Sequence, residues 1–344
     1  MKRRIWKVAA AFTSVAALVA VPSAYAAYTS AKLEVVQAGT AITLKATLSP
    51  DDDPTARVRF FVPAGTQLTT TQAPGTVLGT TRAVVKALDL AGADLPLEGQ
   101  LIVAAPGQVA PTAQAACLGA TTPVATWVMV LSAAGQTLPV PAYLVATAGA
   151  QAALGPAYIQ ICLPPPDVPV GTPSRATFGA KVYTAQLTIG GVFSGGTGAW
   201  IAFWTPYRPN VGQVNVAGTI ASPASVAPGA VTIIAARKSG KRGVGAVVTG
   251  RVTQGGQARA GATVTIFAGP KANRLKRLGR MRTTASGAFT FRAKSGLYFR
   301  ANAAAAAGAA PAACSAISAA IAPVPCVNPT TSGFTAQSRV IRKR

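Results

Sequence analysis

The side chains that could do acid–base or nucleophilic chemistry are few, and their spacing is poor for it. The 344-residue chain has no histidine and only eight carboxylates. Without histidine there is no Ser-His-Asp or Cys-His arrangement, no imidazole zinc ligand, and no use of the commonest general base. No Ser-x-x-Lys spacing offers a serine–lysine pair instead. Asp89, Asp94 and Glu98 lie close in sequence, and two carboxylates held across a sugar can hydrolyse a glycoside. Their surroundings, Leu95-Pro96-Leu97-Glu98-Gly99, read as turn punctuation without pocket-forming residues. Asp51-Asp52-Asp53-Pro54 could present oxygens to calcium, but no EF-hand spacing follows, and a solvated turn is the expectation. The reading is a protein without catalytic, metal-binding or cofactor-binding residues, and therefore not an enzyme.

Four cysteines remain for chemistry: Cys117, Cys162, Cys314 and Cys326. None has Cys-x-x-Cys spacing, which argues against zinc. An even count in an exported chain implies disulfides. A boundary near residue 225 favours Cys117–Cys162 and Cys314–Cys326, each within one domain. Loop-closure entropy gives such bridges about 4 and about 3 kcal/mol of stabilisation.

Export is read from the first 26 residues. Lys2, Arg3, Arg4 and Lys7 precede an apolar run from Val8 to Val21, and Ala24-Tyr25-Ala26 is a small-x-small cleavage site. The run is too short to favour a membrane span. Arg3-Arg4 lacks the flanking residues of a twin-arginine signal, so general secretory export with cleavage after Ala26 is expected. No Leu-Pro-x-Thr-Gly sorting motif follows.

Charge divides the chain. Lys and Arg number 32 against 8 acids, a net +24. Every acid falls at or before Asp167. Residues 168–344 carry 22 basic groups and no acid. Their densest cluster is a loop-like stretch with Lys271, Arg274, Lys276, Arg277, Arg280 and Arg282. An unneutralised cationic half attracts polyanions. The cluster holds no aromatic residue on which bases could stack, so nucleic acid is not the expected partner. The expected partner is an anionic cell-envelope polymer or polysaccharide.

The elements that position these groups read as strands. Ile42, Leu44, Ala46 and Leu48 alternate with polar residues, as do the residues from Lys181 onward, which is the period of a half-buried strand. Residues 99–166 carry no charge. Trp127–Leu131, Tyr143–Val145 and Tyr158–Cys162 look like core strands, with a self-association face as the alternative. In Ala199-Trp200-Ile201-Ala202-Phe203-Trp204 the two indoles share one face. They would pack a core or, in the alternative reading, stack on sugars as a carbohydrate-binding module. Residues 221–229 are small, uncharged and proline-bearing, and read as a linker. The domains are then 27–220, as one sandwich or two subdomains, and a basic 230–344.

Gly250-Arg251-Val252, Gly261-Ala262-Thr263-Val264 and Thr283-Thr284-Ala285-Ser286-Gly287-Ala288-Phe289 resemble the pattern of carboxypeptidase regulatory-like domains, small transthyretin-like β-sandwiches. Thr284 stands where that family usually has Asp, so the turn needs another hydrogen-bond partner. The resemblance covers about fifty residues. It implies a second sandwich with a structural or adhesive role. The fold expectation is all-β, with two immunoglobulin-like or transthyretin-like sandwiches. The functional expectation is a secreted, extracellular, cell-wall-associated protein whose basic C-terminal half docks on anionic envelope polymers.

Overall fold

The computed structural model describes residues 28–38, 40–133, 135–196, 198–226, 229–239, 245–254, 256–309 and 324–344. The expected signal peptide with its Ala26 cleavage site, Lys241, Arg242 and Cys314 lie outside the described residues. The fold is all-β. In chain order the first half contains β1 (Lys32–Ala38), β2 (Ala41–Thr47), β3 (Thr55–Phe61), β4 (Thr66–Leu68), β5 (Val77–Ala87), β6 (Ala93–Val103), α1 (Pro111–Leu118), β7 (Ala125–Ala133), β8 (Gln136–Ala146), β9 (Ala157–Cys162), β10 (Ala180–Gly190), β11 (Phe193–Gly195), β12 (Gly198–Pro206) and β13 (Ile220–Val226). The second half contains β14 (Gly229–Ser239), β15 (Gly245–Gln254), β16 (Gln257–Ala258), β17 (Thr263–Lys271), β18 (Arg274–Arg282), β19 (Ala288–Ala293), β20 (Tyr298–Ala305), β21 (Gly308–Ala309), β22 (Thr330–Thr331), β23 (Gly333–Gln337) and β24 (Ile341–Arg342).

The first half is a closed ring of strands. β5 pairs β6, and the antiparallel ladder continues through β7, β8, β9, β3 and β12 to β13. In the other direction β5 pairs β10, then β2, then β1. The gap between β13 and β1 is filled by the returning C-terminal segment, which runs parallel to both. Ala221 accepts from the Val327 amide at 2.8 Å and donates to the Pro325 carbonyl at 2.8 Å. Thr330 Oγ1 donates to the Leu33 carbonyl at 2.6 Å, and Asn328 Nδ2 to the Ala31 carbonyl at 2.9 Å. Alternate residues point inward, including Leu33, Leu44, Phe60, Leu101, Trp127, Leu144, Ile159, Trp200 and Trp204 in one buried cluster.

The ribbon of β4 and β11 brings Phe193 edge-on to Trp200 at 5.3 Å and to Trp127 at 6.4 Å. Outside the ring, α1 lies over Phe61, Tyr143, Tyr158, Ile201 and Phe203. The Cys117–Cys162 disulfide forms as expected, and Gln160 Nε2 donates to the Cys117 carbonyl at 2.6 Å. Cys326 is also disulfide-bonded.

The second half packs two sheets face to face. β14, β15 and β19 form one, with β16 at its edge, and β18, β17 and β20 form the other, extended by β23 and β24. Val231, Val248 and Val252 from the first sheet meet Val264, Ile266, Phe299 and Ala301 from the second. The segment that resembles regulatory-like domains has a local physical logic. A Cβ on Gly250 would come within 2.2 Å of the Phe289 ring, so Gly250 makes room for that core side chain. Thr283 Oγ1 accepts from the Ala262 amide and donates to the Arg259 carbonyl, tying the start of β17 to the turn. The turn without an aspartate is held by the Gly287 amide on the Thr284 carbonyl at 2.9 Å and by the Thr284 and Ser286 hydroxyls.

Three expectations change. Residues 221–229 are not a free linker. Most of them belong to β13, hydrogen-bonded on both sides, with Ala221, Ser222 and Ala224 fully buried. Small residues suit a strand that a second chain segment must approach closely. Residues 95–99 are not a turn but the middle of β6. Pro96 is tolerated because β6 pairs β7 only from Glu98 onward, so its missing N–H falls on a locally unpaired edge. A Cβ on Gly99 would sit 1.9 Å from the Val130 carbonyl, which explains glycine inside that strand. Finally, the first body is a ring that the C-terminal segment completes, so the stretch 230–344 does not stay on one side of residue 225.

Replacing Thr330 with Val removes a buried hydrogen bond at the seam and leaves the Leu33 carbonyl without it. The expected loss is about 1–3 kcal/mol of unfolding free energy, measured by denaturant titration. An unchanged midpoint contradicts the proposed seam.

Candidate polyanion-binding face

The cationic stretch is a strand, not a loop. In β18 Arg277, Arg280 and Arg282 occupy the solvent side, while Met281 and Gly279 pair with the buried Val264 and Ile266 and face inward; Lys276, opposite the buried Ala268, is exposed near the strand's start. That alternation is what the expectation of a loop missed. Lys271, Arg274, Lys276, Arg277, Arg280 and Arg282 are all exposed. Leu278 is the extra residue of a bulge, because Ile266 faces Gly279 and Phe267 faces Arg277. The bulge keeps Arg277 on the same outer face as Arg280 and Arg282. Among the described residues β18 pairs only with β17, so it forms the sheet edge.

Beside this arginine row runs a polar one. Arg282 is opposite Thr263 and Arg280 is opposite Thr265 on β17. Thr265 is in turn opposite Asn302 on β20, and Asn302 is opposite Gln337 on β23. Thr263, Thr265, Asn302, Thr335 and Gln337 line a shallow groove of about 260 Å³. Asn302 Oδ1 is buried in it without a hydrogen-bond partner. Phe267 carries the Arg300 guanidinium over its ring at 5.1 Å. The face thus offers fork-shaped donors along one rim and hydroxyl and amide groups on its floor. Arginine forks fit carboxylate, sulfate or phosphate oxygens two at a time.

The opposite sheet adds basic groups outside that cluster, and Arg237, in a stretch that reads as a basic turn, belongs to β14. Arg237 and Arg292 are exposed on either side of Val247, in register across β14, β15 and β19. Only the strand pairing, not the sequence spacing, brings them together.

The acids lie elsewhere. Asp89 receives both Nη groups of Arg175 at 2.7 Å, Asp94 receives Lys86 Nζ at 2.6 Å, and Glu98 is 3.5 Å from Arg82 Nε. Each of the three carboxylates has its own cation, and they do not converge on a common cleft. Hydrogen bonds from Arg175 and Lys86 hold Asp89 and Asp94 below the usual carboxylate range. Asp52 accepts from the Thr29 amide and hydroxyl and from the Ser49 amide, at 2.6 to 2.8 Å, so the aspartate run is a turn cap. Among the described residues no group of three or more His, Cys, Asp or Glu side chains is placed to hold a metal ion.

The indoles of the carbohydrate reading are core residues. Trp200 and Trp204 are each 2% exposed, and Trp204 Nε1 donates to Ser222 Oγ at 3.2 Å. They do share one face, as the alternation requires, but that face is the ring interior. Ile201 and Phe203, on the other face, lie beneath α1. Neither indole presents a ring on the outer surface, and the carbohydrate-binding reading built on exposed tryptophans is withdrawn.

Comparison with models of known protein families finds no match, and comparison with curated proteins finds none.

The depressed carboxylates make a pH prediction. Their ion pairs stabilise the fold above the unfolded carboxylate range, and that contribution is lost as the pH falls through the lower native values. Carboxyl-carbon NMR titration is expected to find Asp89 and Asp94 below ordinary aspartates. Ordinary or raised midpoints contradict the pairing.

Proposed function

We propose that this protein is a secreted, non-catalytic surface protein that docks on anionic envelope polymers through its C-terminal half. The observation that carries this reading is the outer face of β17 and β18. There Arg277, Arg280 and Arg282 stand in a row on the strand beside a groove of threonine, asparagine and glutamine side chains, in a part of the chain with no acid. The leader-like first 26 residues and the Cys117–Cys162 disulfide support an oxidising, extracellular setting. The likeness of residues 250–289 to carboxypeptidase regulatory-like domains supports an adhesive or structural role. The groove favours a polymer that carries hydroxyls as well as anionic groups, hence an acidic polysaccharide or polyol phosphate.

The competing role for the same arginines is protective. Charged side chains on an edge strand keep sheets from pairing edge to edge. A triple variant with Arg277, Arg280 and Arg282 each changed to Gln separates the two. On immobilised envelope polymer the native protein is expected to be retained at about 0.1 M salt and released towards about 1 M, as the screening length falls from about 10 Å to about 3 Å. The variant is expected to elute earlier with its oligomeric state unchanged. Retention unchanged by salt or by the triple substitution overturns docking at this face. Aggregation of the variant with unchanged retention assigns the arginines to edge protection.

A further inference from the structure

The interior of the ring is not filled. A cavity of about 400 Å³ lies among Leu44, Phe60, Met129, Ile161, Leu187 and Trp204. Strand number gives one reason. Eight strands enclose an interior that side chains just fill, whereas this ring runs through eleven strands and the returning C-terminal segment. Side-chain size gives the other. Ala46, Ala185 and Ala83 sit abreast on β2, β10 and β5, in register across three neighbouring strands. One row away the same three strands carry Leu44, Leu187 and Thr81. The alanine row leaves the space that larger side chains would occupy. The opposite end is plugged by Phe193 against Trp127 and Trp200.

The polar groups inside the wall are already engaged, and Thr177 and Tyr183 lie at its solvent edge. Thr55 Oγ1 accepts from the Tyr28 hydroxyl at 3.1 Å, and Thr81 Oγ1 donates to Met129 Sδ at 3.7 Å. Trp204 Nε1 is engaged by Ser222, and Arg175 by Asp89 and the Val168 carbonyl. Gln186 points away from Ala185 and Leu187, on the outer face of β10. The lining residues that keep partial solvent contact, Leu138, Val140, Leu163, Val182 and Tyr183, mark where the cavity reaches the surface. A dry apolar void of this size forfeits dispersion contacts on every side chain that lines it. Its volume falls in the range of small-molecule sites, about 300–1,000 Å³.

We propose that the ring binds the hydrocarbon chain of a lipid inside this cavity, recognised by apolar shape and not by its head group. The chain enters between β8 and β10, and its head group stays at the half-buried rim. This site is separate from the arginine face on β18, and neither depends on the other.

The test is a titration of the full exported chain with cis-parinaric acid and with its methyl ester, read by energy transfer from tryptophan. Trp204 lines the cavity, so bound probe quenches it. Saturable binding is expected, with acid and ester affinities within about threefold of each other because no cation is committed to a carboxylate. Ala185→Leu fills the space and is expected to weaken binding at least about tenfold, with the melting temperature held or raised. Ala83→Leu, on the adjacent strand, gives the same readout should the first variant fail to fold. Absence of saturable binding by the native protein overturns the proposal. So does a more than about tenfold preference for the acid, or undiminished binding by a folded filled variant.

Discussion

The structure depends on the chain's last stretch returning to its first strand. β1 and β13 are the two open edges of an otherwise continuous antiparallel ladder, and residues 325–334 lie between them. The amide and carbonyl exchange with Ala221, the Thr330 hydroxyl on Leu33 and the Asn328 amide on Ala31 convert an open sheet into a ring. An open sheet of this length exposes two rows of backbone donors and acceptors, and closure removes both. The same segment continues as β23 into the second body, where Phe334 is buried beside Gly229. One segment therefore both closes the first body and completes the second core.

Around that seam the molecule separates its physical tasks. The ring buries tryptophan, phenylalanine and aliphatic side chains, and Glu34, Asp52, Asp89, Asp94 and Glu98 are engaged in ion pairs or a turn cap. The second body holds basic groups on both outer faces and has no acid of its own. The densest row of those charges stands on β18, whose partly buried Met281 packs on the core that Val264 and Ile266 of β17 build. The disulfide adds a local clamp. It fixes α1 over Ile201 and Phe203, so β12 is covered on both faces and can be apolar on both.

Much of this was legible in the sequence where the signal is local. The alternation of Ile42, Leu44 and Ala46 places β2, and the spacing of Trp200 and Trp204 puts both indoles on one face. The glycine positions from Gly250 to Gly287 mark the strands and turns of the second body. What was not legible depends on partners distant in sequence. Ala221 to Ala224 has the composition of a linker, yet it is buried because another segment packs against it. Pro96 and Gly99 look like turn residues, yet they sit in a strand because pairing begins just beyond one and a backbone approaches the other. The arginines of β18 look like a loop because residues on the solvent side of an edge strand carry no apolar signal. The cavity depends on three alanines from three strands, and no sequence window contains them together.

Native-state hydrogen exchange tests ring closure most directly. If residues 325–334 are a strand of the ring, the amides of Val327 and Ser332 exchange with the same opening free energy as those of β1 and β13, near that of global unfolding. Fast exchange across 325–334, with β1 and β2 still protected, would contradict it.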